Sequence, residues 1–188
     1  KEERAAFHFK GGESEALERL DNYLWKHDLI ANYKKTRNGL LGSDYSSKFS
    51  PYLAQGCISP KKIYYEITRY EEKRKKNQST YWLKFELMWR DFFRFMAKKH
   101  GNAIFRKGGI QHKIDPEWHD DMDLFQKWAS GSTGIPFIDA NMIELNRTGF
   151  MSNRGRQNVA SFLIKDLKMN WQIGAEYFES LLIDYDPA

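Results

Sequence analysis

The chain has 188 residues, a formal charge of +5 from 30 Lys+Arg against 25 Asp+Glu, and 15% aromatic residues, among them six Trp, ten Tyr and thirteen Phe. That length gives one domain with a sizeable core, and so much aromatic area argues against an unfolded chain. No apolar run approaches a membrane span, no signal-peptide pattern opens the sequence, and the mild basic bias permits a polyanionic partner without demanding one.

Cys57 is the single cysteine, so neither an intrachain disulfide nor a Cys-based zinc site is expected. The five His do not fall at metal-ligand spacings such as HExxH, so no metal is expected either. The default setting is reducing and intracellular, cytoplasmic first with an organellar setting left open.

Taken in order, the elements read as helices. Ser14 to Lys26 carries Leu17, Leu20, Leu24 and Trp25 at helical spacing. Ser59 followed by Pro60 is a helix start, a capping hydroxyl and then a Pro where no amide hydrogen bond is lost. That helix runs through Ile63, Ile67 and Tyr70 into the charged run Glu71 to Lys76, which is expected to end it in solvent. Thr80 to Lys99 carries Trp82, Phe85, Trp89, Phe92, Phe93 and Met96. Ile135 to Asn146 precedes a break at Thr148-Gly149, Asn158 to Lys168 has an apolar face, and Gly174 to Leu182 closes the series. β-Branched residues never alternate long enough to argue for a sheet. The fold class is all-α, with one domain over 1–188.

Four segments carry candidate chemistry. In Tyr45-Ser46-Ser47-Lys48-Phe49-Ser50-Pro51, hydroxyls, helix-start amides and a cation together suit a phosphate, although on the residues alone turn and cap positions are the better reading of the serines. In Phe85-Glu86-Leu87-Met88-Trp89-Arg90, Glu86 and Arg90 share a helix face and could form a surface pair contributing about 0.3–0.5 kcal/mol. Trp89 beside them could help hold a flat heterocycle, while core packing is the better reading of the neighbouring aromatics. Asn153, Arg154, Arg156 and Gln157 form a cationic cluster at a helix start, a place that attracts anions or is simply solvated. The last segment, Ile183-Asp184-Tyr185-Asp186-Pro187-Ala188, puts two carboxylates two apart after an apolar helix.

In this order, the four segments resemble the photolyase/cryptochrome family. The resemblance runs from Phe9-Lys10-Gly11-Gly12-Glu13 to the last residue. Its most specific stretch is TGIPFIDANMIEL followed by GFMSNRGRQNVASFLIKDL, and WRDFFRFMAKKHGNAIF with RKGGIQ and Gln157 resembles the DASH branch. It implies the helical FAD-binding domain of that fold, lacking the N-terminal α/β domain and the C-terminal end of complete members. The antenna chromophore is then not bound by this region, and the chain alone is expected to hold FAD poorly.

The resemblance also implies site residues. Tyr33 and the segment Ser46, Ser47, Lys48, Phe49 and Ser50 would contact the FAD phosphates and adjoining groups. Lys48 stands where an Arg is commoner. Glu86, Arg90 and Asn153 would line the cofactor pocket, Arg156 and Asp184 would pair beside the isoalloxazine, and Asp186 would lie near the ribityl and adenine side. Glu86 and Trp89 would meet a flipped pyrimidine dimer, where a damaged base costs less to unstack. Arg37 and Arg154 would hold DNA phosphates, and Gln157 would face the lesion. Trp118 and Trp171 would be the surface and middle tryptophans of a photoreduction path.

The implied activity is blue-light-driven repair of cyclobutane pyrimidine dimers, with reduced flavin giving an electron to the lesion and the product returning it. This makes it a carbon–carbon lyase. The implied partners are DNA, chiefly single-stranded, and the remainder of the parent chain, with no membrane. The alternatives are a blue-light receptor using the same flavin, and a helical scaffold with only electrostatic DNA affinity.

Overall fold

The computed structural model describes residues 2–113 and 117–187. Lys1 and Ala188, the outermost residues of the expected domain, lie outside it. Among the described residues all regular structure is helical, and an isolated bridge between His119 and Met169 is the one β-type pairing. No helix among them is long and apolar enough to cross a membrane. The chain divides into two compact units, Ala6–Met96 with the tail from Asp186, and Ala97–Tyr185 with the residues up to Ala5.

In the unit over 6–96, α1 (Glu13–Asp21) continues into a π-helical turn at Asn22–Lys26. Glu13 and Glu15 in its first turn suit the positive end of the helix dipole. Its buried face is Ala16, Leu20, Tyr23 and Leu24, whereas Leu17, expected on that face, is exposed. α2 (Tyr33–Thr36) and α3 (Ser50–Ala54) are short.

α4 (Pro60–Lys73) starts as the sequence predicts. The Ser59 side chain accepts from the Lys62 amide at 3.1 Å, and Ile63, Ile67 and Tyr70 are buried one turn apart. The charged run Glu71 to Lys76 ends the helix in solvent as expected, with 72–76 exposed, except at its first residue. Glu71 is not a solvent residue, because Lys84 Nζ and Thr80 Oγ1 each donate to its carboxylate at 2.6 Å. Burial alone would raise the Glu71 pKa, but those two donors outweigh it and hold the group below the ordinary value of 4.5.

α5 (Gln78–His100) is the longest helix among the described residues. Asn77 Oδ1 accepts from the amides of Ser79 and Thr80 at its start, at 2.8 and 3.0 Å. Leu83 and Leu87 enter the core. The aromatics assigned to the core do not: Phe92 and Phe93 are exposed, with Met88 and Phe95. Both lie against Trp89 along the outer face, Phe92 edge-on at 5.4 Å and Phe93 stacked at 5.8 Å between ring centroids. A helix with rings on several faces can bury only the face its neighbours cover, and periodicity does not say which face that is.

In the unit over 97–185, α6 (Met122–Ser130) was not foreseen. It is capped by Asp121 Oδ1, which accepts from Asp123 and Leu124 at 3.0 and 3.1 Å. α7 (Pro136–Thr148) ends at Gly149, whose φ of 68° suits glycine and places the expected break. Before it, Asp139 staples its own loop by accepting from Thr133 N, Thr133 Oγ1 and Gly134 N at 2.8, 2.6 and 2.9 Å.

α8 (Asn153–Ser161) starts five residues before the expected Asn158, because Ser152 Oγ caps it at the Gly155 amide. α9 (Trp171–Leu181) likewise starts before the expected Gly174, capped by Asn170. Phe125, Trp128, Met142, Leu145, Val159, Leu163 and Met169 form the core of this unit. The Trp128 indole donates to Val159 O at 3.0 Å. α7 and α8 approach closely at Gly155, where an added Cβ would collide with the Asn141 side chain.

Candidate functional site

The serine segment of the 6–96 unit is organised by a residue the sequence reading did not single out. Arg19, buried on α1, donates to the carbonyls of Ser43, Ser46 and Ser47 at 3.0, 3.1 and 3.0 Å. It also faces Asp44 at 3.5 Å. Burial pulls its pKa below the ordinary value of 12.5, with Asp44 opposing. Because a trans peptide sets N–H opposite C=O, carbonyls drawn towards Arg19 turn the following amides the other way. That geometry suits an anion.

Lys48 is also buried, at φ 59°, with its ammonium 3.3 Å from the Tyr45 ring centroid. Phe49 is buried and Ser50 opens α3. Tyr33 is buried, and burial, with the Glu86 carboxylate adding to it, pushes its phenol well above 10.0.

On α5, Glu86 and Arg90 do not pair with each other. Glu86 Oε1 pairs with Arg37 Nη1, both side chains being half-buried. Arg90 Nη2 donates to Asp186 Oδ2 at 2.7 Å. Each arginine reaches another segment, and this replaces the helix-face pair as the reading of the two residues. The Arg37 guanidinium lies 5.7 Å from the Trp82 ring centroid and Lys34 Nζ lies 4.6 Å from it. Trp89 is 42% exposed and edges Phe85 at 5.7 Å.

Two donors here lack an acceptor. Arg90 Nη1 and Trp82 Nε1 are buried with no hydrogen-bond partner among the described residues. A buried donor left unmade costs about 1–3 kcal/mol, so a ligand bringing acceptors would be stabilised at these positions. A flavin dinucleotide, rich in phosphate, hydroxyl and carbonyl oxygens, has that character.

In the 97–185 unit, Arg156 Nη2 donates to both oxygens of Asp184 at 2.9 Å, and Arg156 Nε donates to Met151 O at 2.9 Å. The Asp184 side chain is 1% exposed. Asn153 stands exposed at the start of α8. Arg154 Nη1 donates to Gln157 Oε1 at 3.0 Å, both residues being exposed.

Trp118 and Trp171, both half-buried, line one hollow. The Trp171 indole donates to Lys107 O at 2.9 Å. Among the described residues no three His, Cys, Asp or Glu side chains gather as metal ligands.

The family described as the FAD binding domain of DNA photolyase matches residues 82–188. A cryptochrome DASH from Xenopus laevis is 61% identical over 183 residues, covering 97% of this chain and 35% of that protein. The solved structure of a Synechocystis cryptochrome superposes with a TM-score of 0.96 at 60% identity, covering 97% of this chain and 38% of that one. A bacterial class III photolyase from Agrobacterium tumefaciens gives a TM-score of 0.82 at 30% identity, covering 94% of this chain and 36% of that one. The chain thus spans little more than a third of the length of these relatives.

Proposed function

Because the chain belongs to the photolyase/cryptochrome family through its FAD-binding domain, with relatives named cryptochrome DASH, we propose that the whole protein repairs cyclobutane pyrimidine dimers under blue light, chiefly in single-stranded DNA. In this reading residues 1–188 form most of the helical FAD-binding domain, and the protein works inside the cell. FAD, when bound, supplies the photoexcited electron.

One observation carries the proposal. Glu86, braced by Arg37, and exposed Trp89 lie three residues apart on α5. Trp89 gives a flipped base a face to stack on. Glu86 gives a lesion carbonyl a hydrogen bond or proton, while Arg37 fixes its rotamer. A flipped dimer is cheapest to reach in a single strand, where no partner base is lost.

The remaining roles follow by unit. Within 6–96, Tyr33, Ser46, Ser47, Lys48, Phe49 and Ser50 serve the FAD phosphates and adjoining groups. Arg90 with Asp186 brings a donor to the cofactor. Within 97–185, Asn153 and the Arg156–Asp184 pair serve the flavin, Arg154 holds a phosphate, Gln157 faces the lesion, and Trp118 and Trp171 carry electrons.

The test is lesion restoration by the flavin-loaded full-length protein on a dimer-containing single strand under blue light. Repair with turnover, abolished by Glu86→Ala while DNA affinity persists, is the expected result. The names of the relatives favour one rival, a blue-light receptor with the same flavin. Photoreduction without restoration of dimers would establish the rival instead.

A further inference from the structure

We propose that the hollow between Trp118 and Trp171 binds a small planar aromatic anion with the size and chemistry of a free mononucleotide. This site is separate from every residue assigned to flavin phosphates or lesion above, and it stands whether or not the repair reading does.

The hollow is built rather than left over. The Trp171 indole donates to Lys107 O at 2.9 Å and Gln172 Nε2 donates to Phe105 O at 2.8 Å, tying the 105–113 segment to α9. Within that segment Gly109 N donates to Arg106 O at 2.7 Å and Lys113 N to Gly108 O at 3.0 Å, closing a compact turn. On the other side, His119 N donates to Lys168 O at 3.1 Å and Asn170 N to His119 O at 3.0 Å, fixing the residue next to Trp118. The Trp171 indole is therefore anchored directly, and the backbone beside Trp118 is held by its neighbour's bonds.

The lining has two kinds of chemistry. Trp118 and Trp171 supply aromatic surface, and stacking of a base on an aromatic side chain contributes about 1–3 kcal/mol. Lys107 and Lys113 supply two ammonium groups, and among the described residues neither is in an ion pair. The nearby Glu117 carboxylate is engaged by Lys168 Nζ at 2.9 Å. Gly108 and Gly109 leave their stretch of wall without side chains.

Aromatic surface without cations would favour an apolar guest, and cations without aromatics a bare anion. The combination selects a ring that carries negative charge. Size narrows it further. At about 270 Å³, the hollow sits just under the range of about 300–1,000 Å³ usual for small-molecule sites. That room suits one base with one phosphate.

The experiment is calorimetric titration of the protein with AMP, adenosine and inorganic phosphate separately, with FAD saturating so that any adenine pocket is filled. Tryptophan emission is followed in a parallel titration without FAD. Expected are saturable AMP binding, adenosine and phosphate each weaker by about tenfold or more, and loss of the emission change in Trp118→Phe. In the double variant Lys107→Gln/Lys113→Gln, AMP should bind no better than adenosine. AMP binding that does not saturate, or that adenosine or phosphate alone equals, overturns the proposal. So does AMP binding that both the lysine and the tryptophan variants leave unchanged. The three ligands compared on the unaltered protein decide the matter even if a variant fails to fold.

Discussion

Two arginine–carboxylate pairs, one in each unit, use the same groups for opposite ends. Arg156–Asp184 is bidentate and its carboxylate is sealed from water at 1% exposure. Arg37–Glu86 is reached by solvent from both sides, at 20% and 30% exposure. Desolvation is already spent in the first, so removing either partner strands a charge. In the second, the carboxylate itself is 30% exposed, so it stays within reach of a ligand while Arg37 braces it. A fixed pin belongs where geometry must not change, and an open pair where a guest must be received.

The largest expected effect tests the pin. Asp184→Ala should destabilise the protein by about 3 kcal/mol, the low end for a broken buried pair because Arg156 keeps some access to water. A fall in the urea midpoint reads it, and Arg156→Met/Asp184→Leu should recover much of the loss. Next is the close approach of α7 and α8. Gly155→Ala forces a methyl into the Asn141 side chain and should cost about 1–3 kcal/mol by the same measurement.

A smaller, pH-dependent effect belongs to the 6–96 unit. The Glu71 pKa is held below 4.5 in the folded state, so its contribution is full above that value and is lost as pH falls through the lowered one. The midpoint difference between the unaltered protein and Glu71→Gln should therefore shrink as pH drops below 4.5. A constant difference would sink the assignment. The smallest stability effect is expected for Glu86→Gln, under about 1 kcal/mol. If it matches Asp184→Ala, the contrast between the two pairs is wrong.

Much of the fold was legible in the sequence because its signals are local. Ser59-Pro60 and Gly149 set helix limits through bonds within a few residues. The misses share a different cause. The start of α8 depended on Ser152 outcompeting later positions as a cap. The nine residues of α6 were too few for periodicity to stand out beside their polar neighbours. At the site, Glu86 and Arg90 stand one turn apart, yet their partners come from Arg37 and from Asp186, the latter 96 residues from Arg90. Spacing identifies which side chains can meet on one helix and is silent about arrivals from elsewhere.

Arg19 grips the serine segment chiefly by three carbonyls, across separations of 24 to 28 residues, with the Asp44 carboxylate as a fourth contact. The loop's shape is thus written outside the loop. The serine side chains can drift, in evolution or in a library, without removing those carbonyl bonds, whereas transplanting the loop into another scaffold without α1 should deliver the letters and lose the form.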